Sequence, residues 1–120
     1  MCFHKSTADL PYSTTEALKL YADKGAAADI YVAGTVTEAT PYASSGTTNY
    51  TITDGTNTLY VYKGTADAAS GLEDILTLVE GDKVVVKGTM STYNQPQIGE
   101  GSTIVKWTEN TNPVLTVLKD

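Results

Sequence analysis

The chain has 120 residues, with 14 acids against eight bases, a net charge of −6 and a pI near 4.6. Every base is a lysine, which argues against strong non-specific nucleic-acid binding, since that is driven by basic side chains and draws on arginine for bidentate contacts. No window approaches the ~18 apolar residues of a membrane span, and Cys2, the sole cysteine, leaves no internal disulfide.

This length suits one domain with a single core. Threonine occurs at 20 positions and tyrosine at eight, a strand-forming composition. Residues 1–11 read as a loose lead-in. No secretory leader is legible, although Met1-Cys2 is where a lipoprotein would begin if its signal had been replaced by methionine. That start leans the expected location towards the cell surface or periplasm, with the cytoplasm or a virion as alternatives. Ser13 and Glu16 have capping-box spacing, Ala17, Leu20 and Tyr21 make an apolar stripe, and Gly25 is a stop, so a helix is predicted over 14–24.

Ile30 to Glu38 alternates as a half-buried first strand, with Tyr31 on its outward face. Thr40 to Thr47 reads as a loop carrying Tyr42. A second strand covers Asn49 to Thr53, and Asp54-Gly55-Thr56-Asn57 is a hairpin turn. The third strand, Thr58 to Lys63, turns Leu59 and Val61 inward and Tyr60 and Tyr62 outward. Ser70 and Glu73 repeat the capping-box spacing, and Leu72, Ile75, Leu76 and Val79 form a helical stripe, which predicts a second helix over 71–79. The fourth strand follows the Gly81-Asp82 turn through Val84-Val85-Val86, with Gly88 as a bulge or bend at a barrel corner. Tyr93 to Gly101 reads as a loop, Thr103 to Trp107 as the fifth strand, and Val114 to Leu118 in the tail (108–120) as a short edge strand. The expected shared core is Ile30, Val32, Ile52, Leu59, Val61, Leu76, Val84 and Val86.

Three strands, a helix and two further strands are the order of an OB-fold, a five-stranded Greek-key β-barrel, here spanning 12–107 with two helices in an all-β frame. Four segments carry a resemblance as well: Tyr-Ser-Thr-Thr-Glu-Ala-Leu from Tyr12, Ile-Tyr-Val-Ala-Gly-Thr-Val from Ile30, Leu-Tyr-Val-Tyr-Lys-Gly from Leu59, and the stretch from Gly81 to Asn94. In this order they resemble the OB-fold domains of secreted and surface proteins in gut-type Gram-negative bacteria, often labelled nucleic-acid-binding by fold. The resemblance implies that fold and a single-stranded nucleic-acid ligand. Lys63 stands where that family commonly has arginine, and the helix before strand four reads longer here.

The alternation places Tyr31, Tyr60 and Tyr62 on outward faces, with Tyr42 and Tyr93 in flanking loops, where they would stack bases or sugar rings. Thr51, Lys63, Lys87 and Asn94 complete the expected ligand surface, the lysines neutralising a phosphate. The plainer reading is that tyrosines cover strand surface with a wet tip and lysines protect strand edges. His4 and Cys2 are too few for a metal site. Asp54, Glu80, Asp82 and Glu100 read as solvated turn acids, and there is no phosphate loop, H-E-x-x-H or C-x-x-C motif. The expectation is a non-catalytic module without cofactor, binding single-stranded nucleic acid weakly, or an oligosaccharide. The alternative is a structural or protein-interaction module, such as a surface-protein accessory domain or a virion decoration protein.

Overall fold

A computed structural model describes residues 4–110. Helix α1 (Thr14–Lys24) begins as its sequence predicts. Ser13 Oγ accepts the Glu16 N–H, the Glu16 carboxylate accepts the Ser13 N–H, and Gly25 closes the helix in the left-handed region. Seven strands follow: β1 (Ile30–Tyr42), β2 (Thr47–Thr53), β3 (Thr58–Ala66), β4 (Lys83–Gly88), β5 (Met90–Tyr93), β6 (Gln95–Ile98) and β7 (Thr103–Thr108). They form one mixed sheet in the order β2-β1-β4-β7-β3-β6-β5, and β2 also pairs β3. The sheet therefore curls into a barrel-like ring, β1-β2-β3-β7-β4. The ring is unevenly closed, because β3 meets β7 through the parallel pairs Thr65–Thr103 and Ala66–Ile104 while the other seams are longer antiparallel ladders.

Two strands more than expected are present: β5 covers the end of the stretch read as the fourth strand, and β6 lies in the segment read as a loop. Asn94 takes a left-handed φ of 66° and folds β5 back on β6, with Tyr93 opposite Gln95. Pro96, read as a strand break, lies beside this tip, and Gln97 and Ile98 then pair in parallel with Tyr60 and Val61. β1 also runs further than its alternation suggested. Tyr42 belongs to the strand, and the turn after it is closed by the Ser45 and Gly46 N–H groups on the Tyr42 carbonyl.

Residues 71–79 are not an α-helix. Short 3₁₀ turns stand at Ala68–Ser70 and Ile75–Thr77 instead. Ser70 Oγ captures the Leu72 N–H, the Asp74 carboxylate captures the Leu76 N–H, and Thr77 Oγ1 donates to the Asp74 carbonyl. Such local bonds compete with an α-helical ladder. Burial follows every third residue, Leu72, Ile75 and Leu78, the period of a three-residue turn. Leu76 is accordingly only partly buried, and Val79 is 55% exposed.

Ile30, Val32, Ile52, Leu59, Val61, Val84 and Val86 are buried together as expected, joined by Tyr12, Val36, Tyr50, Met90, Ile98 and Ile104. Gly88 ends β4, where a side chain would lie 2.5 Å from Ile98 Cγ2, and the irregularity in the β4–β7 ladder falls at Val85–Val86. Residues 4–11 are tied to the sheet. Ser6 is buried and its Oγ accepts the Tyr31 N–H, while Tyr12 bridges to Val32. The candidate edge strand 114–118 lies outside the described residues.

Two turn aspartates behave differently. Asp54 is exposed and accepts N–H bonds from Thr56 and Asn57 of its own turn and from Thr15 in the first turn of α1. Hydrogen bonding with Thr15, then with Asn57, holds its carboxyl well below the usual carboxylate range. Asp82 is buried rather than solvated. Its carboxylate accepts the N–H groups of Val79 and Asn110 and the indole N–H of Trp107.

Truncation of Val86 to Ala, at a fully buried position, is expected to cost about 1–3 kcal/mol in a urea melt. Tyr50 supplies a pH test. Burial pushes its phenol well above the ordinary value, and its hydroxyl has no hydrogen-bond partner among the described residues. Exclusion of the phenolate stabilises the fold fully below pH about 10, the unfolded tyrosine value, and this is lost as pH rises through the raised folded-state value. Tyr50→Phe is therefore expected to keep or raise stability at pH 7 and to blunt alkaline unfolding, as followed by circular dichroism.

Candidate functional site

A strand that alternates strictly would send Lys63 into the barrel, two positions after Val61. A bulge prevents this. Thr48 pairs Gly64 and Tyr50 pairs Val61, so β3 carries one extra residue at Tyr62–Lys63. Lys63 takes a φ of 50°, rare outside glycine, and its N–H donates to Asn49 Oδ1 at 2.7 Å. Past the bulge Gly64 faces inward and is buried, while Lys63 reaches the outer surface beside Tyr62.

On that outer face Tyr42 and Tyr62, 46% and 37% exposed, flank an open cleft of about 410 Å³. Ser44, Ser45, Thr47, Asn49 and Lys63 complete its lining. Lys63 Nζ lies 5.6 Å from the centre of the Tyr62 ring, within cation–π range. Ser45 and Thr47 are hydrogen-bonded to each other through their hydroxyls at 2.7 Å. Tyr60 adjoins this group: burial raises its phenol above the ordinary value first, with Tyr42, Tyr62 and Glu38 adding to the shift. Thr51 pairs with Tyr60 across β2 and β3. Both line a second depression with Leu18, Glu38, Gln95 and Pro96.

The expected surface is thus divided. Tyr42, Tyr60, Tyr62, Lys63 and Thr51 gather on β1, β2 and β3. Tyr31 sits at the opposite end of β1, where its strand partner is Lys87 of β4 and Lys87 Nζ lies 5.7 Å from its ring. Those two line a separate depression with Lys5, Ser6 and Asp29. Tyr93, 73% exposed, and Asn94 form the tip of the β5–β6 hairpin rather than a loop. That hairpin is steadied by the Tyr21 hydroxyl against Thr92 Oγ1 at 2.8 Å.

Sequence reading missed the bulge, Asn49 and the approach of Glu38. Gly64 after an alternating run was the available signal, because a glycine inside a strand often marks a bulge. His4 packs its ring on Tyr12, at 4.9 Å between centres, and bonds the Leu10 carbonyl. Among the described residues no three His, Cys, Asp or Glu side chains gather as a metal-binding group. No protein-family model matches the chain, and no curated protein matches it.

The bulge can be tested by itself. Left-handed backbone costs an L-residue roughly 1–2 kcal/mol that glycine avoids, part of which the freer unfolded glycine cancels. Lys63→Gly is therefore expected to leave stability unchanged or raise it by up to about 1 kcal/mol. Asn49→Ala is expected to lower it by about 1 kcal/mol through the lost bond to the Lys63 N–H. Paired denaturant melts check both signs.

Proposed function

We propose that the chain is a non-catalytic binding module built on an OB-type barrel, with β1, β2, β3, β4 and β7 as the five barrel strands and β5–β6 as an added hairpin. Its ligand on this reading is an oligosaccharide held on the outer face of β1, β2 and β3. The observation that carries the proposal is the pairing of two exposed tyrosines, Tyr42 and Tyr62, across a cleft otherwise lined by hydroxyls, an amide and one lysine. Aromatic faces take the apolar side of a sugar ring, and hydroxyl and amide groups exchange hydrogen bonds with its edge.

Single-stranded nucleic acid is the second reading, favoured by Lys63 beside Tyr62. It is the weaker one. The cleft offers a single cation, Glu38 adds negative charge next to Tyr60, and the chain carries −6 overall, so stacking would have to outweigh repulsion.

Titration of the ¹⁵N-labelled protein with neutral and acidic oligosaccharides and with a short oligothymidylate tests the two readings. Sugar binding with shifts at Thr47, Asn49 and Tyr62 is expected. Tyr42→Ala and Tyr62→Ala should each weaken it by about 1–3 kcal/mol, taking base stacking as the guide to ring stacking. Binding of the oligothymidylate that falls steeply between about 50 and 200 mM salt would replace the sugar reading with the nucleic-acid one. No binding of any probe would favour the protein-interaction alternative.

A further inference from the structure

We infer that the Tyr42–Tyr62 cleft selects an acidic sugar, a uronate, by pairing its carboxylate with Lys63. This rests on the oligosaccharide reading above and goes further, since it assigns the charge of the ligand and the residue that reads it.

Strict alternation would bury Lys63, and an ammonium inside the barrel would be costly without a partner. The bulge instead turns Lys63 to the cleft, at the expense of an unfavourable φ of 50°. The Asn49 amide oxygen accepts the Lys63 N–H, so a neutral group holds that backbone. No carboxylate lines the cleft, and among the described residues none lies within ion-pairing distance of Lys63. By contrast, Lys106 is engaged by Asp9. The half-buried Lys63 thus stands beside the Tyr62 ring in a cleft that Tyr42 also lines.

Chemistry then narrows the ligand. The ammonium sits 5.6 Å from the Tyr62 ring centre, so an anionic group reaching it must belong to a ligand lying on or beside that ring. One cation per cleft matches one carboxylate on one stacked sugar. A polyphosphate backbone would ask for a row of cations, and the cleft has no second one. Lysine also suits a single monodentate carboxylate, whereas bidentate phosphate recognition favours arginine, of which the chain has none.

A neutral twin of the acidic ligand isolates the charge. A neutral oligosaccharide ending in a single galacturonate, and the same sugar with that carboxyl methyl-esterified, are titrated into the protein by calorimetry at low salt. The acid is expected to bind about three- to tenfold more tightly than the ester, as for a partly exposed charge-assisted bond. Lys63→Gln should bring acid and ester to equal affinity, whatever the side chain contributes to both, and Lys63→Arg should keep the preference. Lys63→Gly, which the left-handed backbone accepts, repeats the loss in a variant whose folding the substitution does not threaten. Equal binding of acid and ester would overturn the inference and leave the oligosaccharide reading intact. So would a preference that survives in both Lys63→Gln and Lys63→Gly, since the charge would then be read elsewhere, as at Lys87 beside Tyr31. Failure of both sugars to bind would overturn the oligosaccharide reading itself, and this inference with it.

Discussion

The ring of Tyr50 lies in the barrel where a side chain on Gly64 would have to be: a Cβ there would come within 2.5 Å of its Cε1. Much of the molecule depends on this one exclusion. Tyr50 is fully buried, so its ring occupies volume that β3 must leave free. Only glycine can face it, and Gly64 reaches the inward position only because β3 takes on an extra residue just before it. The residue left over is Lys63, which goes to the outside with its backbone in an unfavourable region. Core packing thereby decides which charge is displayed on the tyrosine face.

Two junctions of the barrel are held by polar contacts. Asp54 accepts from its own turn and from the first turn of α1, where the helix dipole favours negative charge. Thr14 and Asn57 tighten the same junction, the Thr14 hydroxyl donating to the Asn57 carbonyl at 2.7 Å. In the second junction the buried Asp82 carboxylate gathers two backbone N–H groups and an indole N–H, joining the approach to β4 to the end of β7. A buried carboxylate with three donors is well satisfied, and it fixes Trp107 against the core.

Local signals were legible where one interaction dominated. Ser13 and Glu16 foretold the start of α1 because a capping box is closed among neighbours, and the alternating valines of β1 and β4 foretold the inward face because burial on one side enforces period two. The spacing at Ser70 does not make a helix because the Ser70 hydroxyl accepts the N–H two residues on, a local turn that competes with the helical ladder. Asp82 reads from its turn position as a solvated acid, since two of the donors it serves, Trp107 and Asn110, are distant in sequence. Of the tyrosine face, the outward side chains on β3 could be read from alternation. The separation of Tyr31 from Tyr62 could not, because it depends on β1 changing partners from β4 to β2 along its length.

The parallel seam between β3 and β7 bears on how the chain closes as it is made. β1 and β2 pair through a short turn, as do β2 and β3, so that meander can form from local contacts. The free edge of β3, from Leu59 to Ala66, has no partner until β6 and β7 have been synthesised, after the whole of β4. An open edge on a strand carrying Leu59, Tyr60, Val61 and Tyr62 is a template for pairing with another nascent chain. The connector that directly follows β3 in sequence exposes three acids, Asp67, Glu73 and Asp74, in the folded chain, and like charge of this kind opposes edge-to-edge pairing.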